Sequence, residues 1–146
     1  MENFFKFIDK FIPNNQKIKI MTAKDNALNW FEISVQDIKR AKKFYESVFS
    51  IKMQEMDMMG TKMAFFPFDP VSGKVSGGLC QCKMHKPSKA GVKVYLNGNP
   101  DLKKALSKVE KAGGKITMPK TSIGENGFMA FFNDTEGNSI GLHSDK

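Results

Sequence analysis

The chain has 146 residues and carries 23 Lys and Arg against 15 Asp and Glu, a formal charge of +8 at pH 7. At 40% hydrophobic and 26% charged residues, it has the make-up of a globular domain with a real core, not of a disordered or fibrous chain. No apolar run approaches the roughly 20 residues that span a bilayer. Lysine is scattered through every segment without interleaved aromatics, which argues against a nucleic-acid partner and favours an anionic small molecule.

The elements follow in chain order. Phe4, Phe5, Phe7, Ile8, Phe11 and Ile12 share one helical face, while Glu2, Lys6, Asp9 and Lys10 interrupt any secretory core. The spacing predicts an amphipathic helix and linker over residues 1–24, packed on the domain or on a second copy, which keeps a homodimer open. A single domain over 25–146 should follow. Leu28 to Val35 is expected as a strand, and Asp37 as the N-cap of a helix burying Ile38, Ala41, Phe44, Tyr45 and Val48. Three strands are predicted next, Ile51 to Met58, Thr61 to Phe68 and Lys74 to Met84, with His85 to Gly91 as a linker.

Val92 to Leu96 then opens a second series. Asn99 is the candidate N-cap with Pro100 at the first helical position, and Gly113-Gly114 ends that helix. Lys115 to Met118, Gly127 to Asn133 and Ser139 to His143 complete the strands. Gly124-Glu125-Asn126-Gly127 is expected as a hairpin connection, since no Gly-Lys-Ser/Thr follows to cradle a phosphate.

The two series repeat one another. Met63-Ala64-Phe65-Phe66 recurs as Met129-Ala130-Phe131-Phe132, and Asp37-Ile38-Lys39-Arg40-Ala41 is echoed by Asp101-Leu102-Lys103-Lys104-Ala105. Ser76-Gly77-Gly78-Leu79 is matched by Ser139-Ile140-Gly141-Leu142. A unit of about 60 residues exceeds solenoid periods. The fold class is therefore α+β: two tandem βαβββ modules, about 27–84 and 91–144, forming one curved sheet or cavity. Each adjacent pair of phenylalanines sends one ring to each face of its strand, so the face away from the helix is apolar too.

Cys80 and Cys82 share a strand face but are too close in sequence for an ordinary disulfide staple. A C-x-C without a second pair is a weak metal signal, and with only two histidines no nucleophile–base pair is evident. A reduced, cytoplasmic protein is the simplest expectation.

Certain motifs add a family resemblance. Trp30-Phe31-Glu32-Ile33-Ser34-Val35-Gln36-Asp37, Arg40-Ala41-Lys42-Lys43-Phe44-Tyr45, Lys111-Ala112-Gly113-Gly114-Lys115 and Phe132-Asn133-Asp134-Thr135-Glu136-Gly137-Asn138 occur in one order across 27–144. In that order they resemble the vicinal oxygen chelate superfamily of glyoxalase I, bleomycin-resistance proteins, extradiol dioxygenases and fosfomycin-resistance enzymes. The match is to an uncharacterised glyoxalase-like, lactoylglutathione-lyase-related subgroup.

The resemblance implies a cavity with a divalent metal held from the first and last strands of each module. Carried over, the first-strand position falls on Trp30 with Val94 as its repeat mate, and the last-strand position on Gly141 with Gly78 as its mate. None of these side chains offers a metal a lone pair. The expected cofactor is therefore none, and the expected function is metal-independent binding of an anionic or aromatic small molecule by Trp30, Glu32, Val94, Gly141 and His143. Glu32 is the candidate proton-transfer residue. Two alternatives stand beside this reading. One is a glyoxalase- or dioxygenase-like lyase or oxidoreductase with its metal moved to Glu32 and His143. The other is an interaction module with a vestigial cavity.

Overall fold

A computed structural model describes residues 21–146; the expected amphipathic helix lies outside the described residues. In the first module, β1 (Trp30–Ser34) leads to α1 (Ile38–Phe49). Asp37 caps α1 as expected, its carboxylate accepting the N–H groups of Lys39 and Arg40, each at 3.0 Å. The helix buries Ile38, Ala41, Phe44, Tyr45 and Val48 and stops where Ser50 turns left-handed at φ 54°. Strands β2 (Gln54–Met58), β3 (Thr61–Phe65) and β4 (Ser76–Gln81) complete the module. Met59 and Gly60, at φ 52° and 85°, supply the left-handed pair that a two-residue hairpin needs.

The second module runs β5 (Tyr95–Asn97), α2 (Lys103–Val109), β6 (Lys115–Ser122), β7 (Phe128–Asn133) and β8 (Ser139–Ser144). Its helix starts later than the sequence suggested. Asn99 is not the N-cap: Leu102 precedes α2 with no capping side chain, and its N–H instead donates to Ser144 Oγ at 3.0 Å. The Asn99 side chain accepts the N–H of Asp145 at 2.7 Å, and the Asn99–Pro100 bond is cis. β6 also outruns its expected end at Met118, because two register shifts carry the strand past Pro119. A 3-10 turn at Gly124–Asn126 joins β6 to β7, the hairpin connection anticipated there.

Strand order is β1-β4-β3-β2 in one sheet and β5-β8-β7-β6 in the other, so the duplication is one of topology as well as of letters. In each sheet the first strand pairs in parallel with the last and the other pairings are antiparallel. The modules thus form two four-stranded sheets with a groove between the edges of β1 and β5, the cavity form of the expected architecture. One apolar core joins them: Phe44 of α1 meets Phe132 of β7 with ring centroids 5.8 Å apart.

The β7–β8 turn clamps the modules together. Glu136 accepts the N–H groups of Gln36 and Asp37 at 2.8 and 3.0 Å and pairs with Arg40 through Nε at 2.7 Å and Nη2 at 3.0 Å. Buried Asp134 accepts the Tyr45 hydroxyl at 2.8 Å, and Asn138 Nδ2 donates to the Ser34 carbonyl at 2.8 Å. Among the described residues no buried side-chain nitrogen or oxygen lacks a partner.

Candidate functional site

Alternation along the strands decides which side chains face the helices and which face the open side. In β1, Ile33 is buried and Phe31 packs against the core, so Trp30, Glu32 and Ser34 point the other way. In β4, Gln81 Oε1 accepts the N–H of Ile38 at 2.8 Å on the helix side, which puts Gly78 and Cys80 on the open face. In the second sheet Leu96 and Leu142 are core, leaving Tyr95, Asn97, Gly141 and His143 on the open face.

Aromatic rings pack beside the last-strand positions to which the resemblance assigns metal ligands. Gly141 lies opposite Tyr95 on one side and Phe131 on the other, and a Cβ added there would fall 2.6 Å from Tyr95 Cδ1. Tyr95 and Phe131 meet edge to face with centroids 5.4 Å apart. At Gly78 the contact is looser: Glu32 lies opposite, and an added Cβ would fall 3.1 Å from the Ala64 carbonyl, 3.2 Å from Phe65 Cδ1 and 3.6 Å from Trp30 Cζ2. Trp30 and Phe65 form the matching edge-to-face pair at 5.7 Å. Gly141 makes room for the Tyr95 ring, Gly78 brings Phe65 close, and no side chain at these positions offers the superfamily's metal a donor atom.

Val94 is not the open-face partner that residue counting suggested. It packs against the core, and its carbonyl accepts the Gly141 N–H at 2.9 Å. Tyr95 holds that face instead. The count was anchored on Asp101 as the mate of Asp37, whereas Leu102 precedes α2; the eight-residue step from Trp30 to the start of α1, taken back from Lys103, falls on Tyr95. The sequence clue available was an aromatic one residue beyond the counted position.

Among the described residues, a groove of about 870 Å³ separates the edges of β1 and β5. Trp30, Phe31, Phe49, Phe66 and Tyr95 give it aromatic walls, with Glu32, Lys93 and Val94 also lining it. Trp30 is 37% exposed and Tyr95 49%, so both present ring area to a ligand. His143 lines an adjoining cavity of about 520 Å³, with Asn99 and Met129, that shares Tyr95, Leu96 and Asn97 with the groove. Its Nε2 donates to the Asn126 carbonyl at 2.7 Å, which fixes the ring. Trp30, Glu32 and Val94 therefore line one groove, His143 lines the adjoining cavity, and Gly141 makes room for Tyr95 between them.

A second chemical feature lies beyond Gly78 on the same open face. Buried Cys80 is opposite Ser34, with partly buried Cys82 two residues on. His85 Nδ1 stands 3.4 Å from both Cys82 Sγ and Ser34 Oγ. Burial pushes the Cys80 thiol up to about 12, helped by hydrogen bonding to Cys82 and by the charge of Glu32 beside it. Cys82 is held below the usual thiol range by the backbone N–H groups of His85 and Met84.

Comparison with known proteins decides the family. A model described as the Glyoxalase/Bleomycin resistance protein/Dioxygenase superfamily matches residues 27–142. The chain belongs to this superfamily. Among superfamily relatives, a glyoxylase-like domain-containing protein of Didymella fabae is 36% identical over 120 residues, covering 77% of this chain and 88% of the relative. Glyoxalase I from Zea mays superposes with a TM-score of 0.60 at 22% identity, covering 80% of this chain but only 44% of the maize protein. Leishmania major glyoxalase I gives 0.59 at 22% identity, over 83% of this chain and 88% of that one. At those identities the two structures establish the shared glyoxalase fold. Among the described residues no helix is long and apolar enough to cross a membrane.

Proposed function

We propose that this superfamily member binds a small planar ligand bearing one negative charge in the β1–β5 groove, without the superfamily's shared metal. What supports the reading is that glycine stands at both last-strand positions to which the resemblance assigns ligands, with an edge-to-face aromatic pair packed near each. The surviving groove has aromatic walls with Lys93 at hand for a carboxylate, and Glu32 in the same wall disfavours a polyanion.

The chain contains a single tryptophan, and it is Trp30, so ligand entry is readable as a change in intrinsic fluorescence. A panel of benzoate, phenylpyruvate and indole-3-acetate, titrated with and without a chelator, tests the proposal. The expected result is saturable quenching and a thermal-shift gain that chelation does not alter. Trp30→Ala should raise the ligand concentration needed for a given thermal shift about tenfold, the scale of one lost aromatic contact. Binding that appears only on addition of a divalent metal would overturn the reading.

A further inference from the structure

The groove does not use the thiols at the far end of β4. Cys80, Cys82 and His85 each present one ligand atom, and the three atoms lie within 4.8 Å of one another. A tetrahedral zinc ion with Zn–S bonds of about 2.3 Å spaces its sulfur ligands about 3.8 Å apart. The cluster is thus within roughly an ångström of the spacing a metal imposes.

The local chain path explains the convergence. β4 sends Gln81 inward to cap the first turn of α1, so Cys80 and Cys82 on either side face outward together. The chain then bends at Lys83 and Met84 and returns His85 towards both Cys82 and Ser34. Glu32 lies on the neighbouring strand of the same face, opposite Gly78 and two residues from the partner of Cys80. Two sulfurs, one imidazole nitrogen and a nearby carboxylate form a donor set suited to zinc, and less suited to magnesium or calcium, which prefer oxygen. The exposure of His85 leaves an entry path.

We propose that Cys80, Cys82 and His85 bind one zinc ion in the first module, with the fourth position facing Glu32. All of these ligands come from one module, at different residues from the strand positions through which the superfamily's metal is held. Binding releases the thiol protons of both cysteines, so affinity rises with pH. The site goes beyond the groove reading and does not depend on it.

The test uses the whole, reduced protein and cobalt(II) followed by zinc(II) as probes. One equivalent of cobalt should produce thiolate-to-cobalt charge-transfer absorption, which zinc then abolishes by displacement. Cys82→Ser and His85→Ala, both outside the fully buried core, should each weaken zinc binding by more than the about 10–100-fold that loss of an outer partner costs. His143→Gln should bind zinc as the unaltered protein does. Absence of the charge-transfer band would overturn the site, as would Cys82→Ser binding zinc unchanged or His143→Gln losing as much affinity as His85→Ala. In each of those cases the chelator-insensitive quenching of Trp30 would still be expected, so failure of the metal site is separable from failure of the groove.

Discussion

Gly141 shows how one missing side chain can set a site's chemistry. A methyl group there would meet Cδ1, Cε1 and Cγ of Tyr95 at 2.6, 2.8 and 2.9 Å, so the ring must leave. Because Tyr95 is half exposed, it has somewhere to go, and the loss is one of ring packing and not of the fold. Gly141→Ala should therefore cost about 1–2 kcal/mol in denaturant unfolding. In a Tyr95→Ala background the same change should cost markedly less, and equal costs in both backgrounds would refute the contact. That Gly141 and Gly78 carry no donor side chain is plain from the residues themselves, once the resemblance picks out those positions. Tyr95 was not legible in this way, because its assignment depends on where α2 begins and on the pairing of β5 with β8, and counting from Asp101 misplaces it by one. The thiol cluster was half visible: C-x-C places two sulfurs on one face, but the return of His85 depends on a bend that the sequence does not announce.

The element that joins the modules is the β7–β8 turn. Asp134-Thr135-Glu136-Gly137-Asn138 served in the sequence as a family signature; in the fold it satisfies N–H groups at the start of α1 and ties down Arg40 and Tyr45. Burial alone would raise the Glu136 carboxyl, but Arg40 and the Asp37 and Gln36 N–H groups hold it below the usual glutamate range. A lowered folded-state value means that its contribution to stability is fully present above about pH 5 and is lost as pH falls through the folded value. Glu136→Gln should lower stability at neutral pH by about 1.5–3 kcal/mol, the range for hydrogen bonds to a charged group. It should also flatten the fall of the melting temperature below pH 5, and a variant with an unaltered acid profile would show that Glu136 does not carry that dependence. The caps illustrate where local signals suffice. Asp37 needed only its own helix, whereas α2 is anchored at its start by Ser144, 42 residues away, a contact no local pattern encodes.

At the scale of the molecule, the two sheets share one core and do not stand as independent halves. Phe44 packs on Phe132, Tyr45 reaches Asp134, and the buried cluster draws on both modules. Unfolding should therefore be a single transition, with Trp30 fluorescence and far-ultraviolet circular dichroism giving coincident curves. Two separated transitions would show modules of independent stability. The βαβββ architecture was legible because duplication supplies its own check: a strand read in one copy is read again in the other. The splitting into two sheets was not, since edge-to-edge closure depends on how the modules dock. The docking has a further meaning during synthesis. Gln36 waits for a partner 100 residues later in the chain, which at ribosomal speeds of about 5–20 residues per second is roughly 5–20 s of elongation. Throughout that interval the nascent first module carries an unclasped helix start and a Phe44 without Phe132 to pack on.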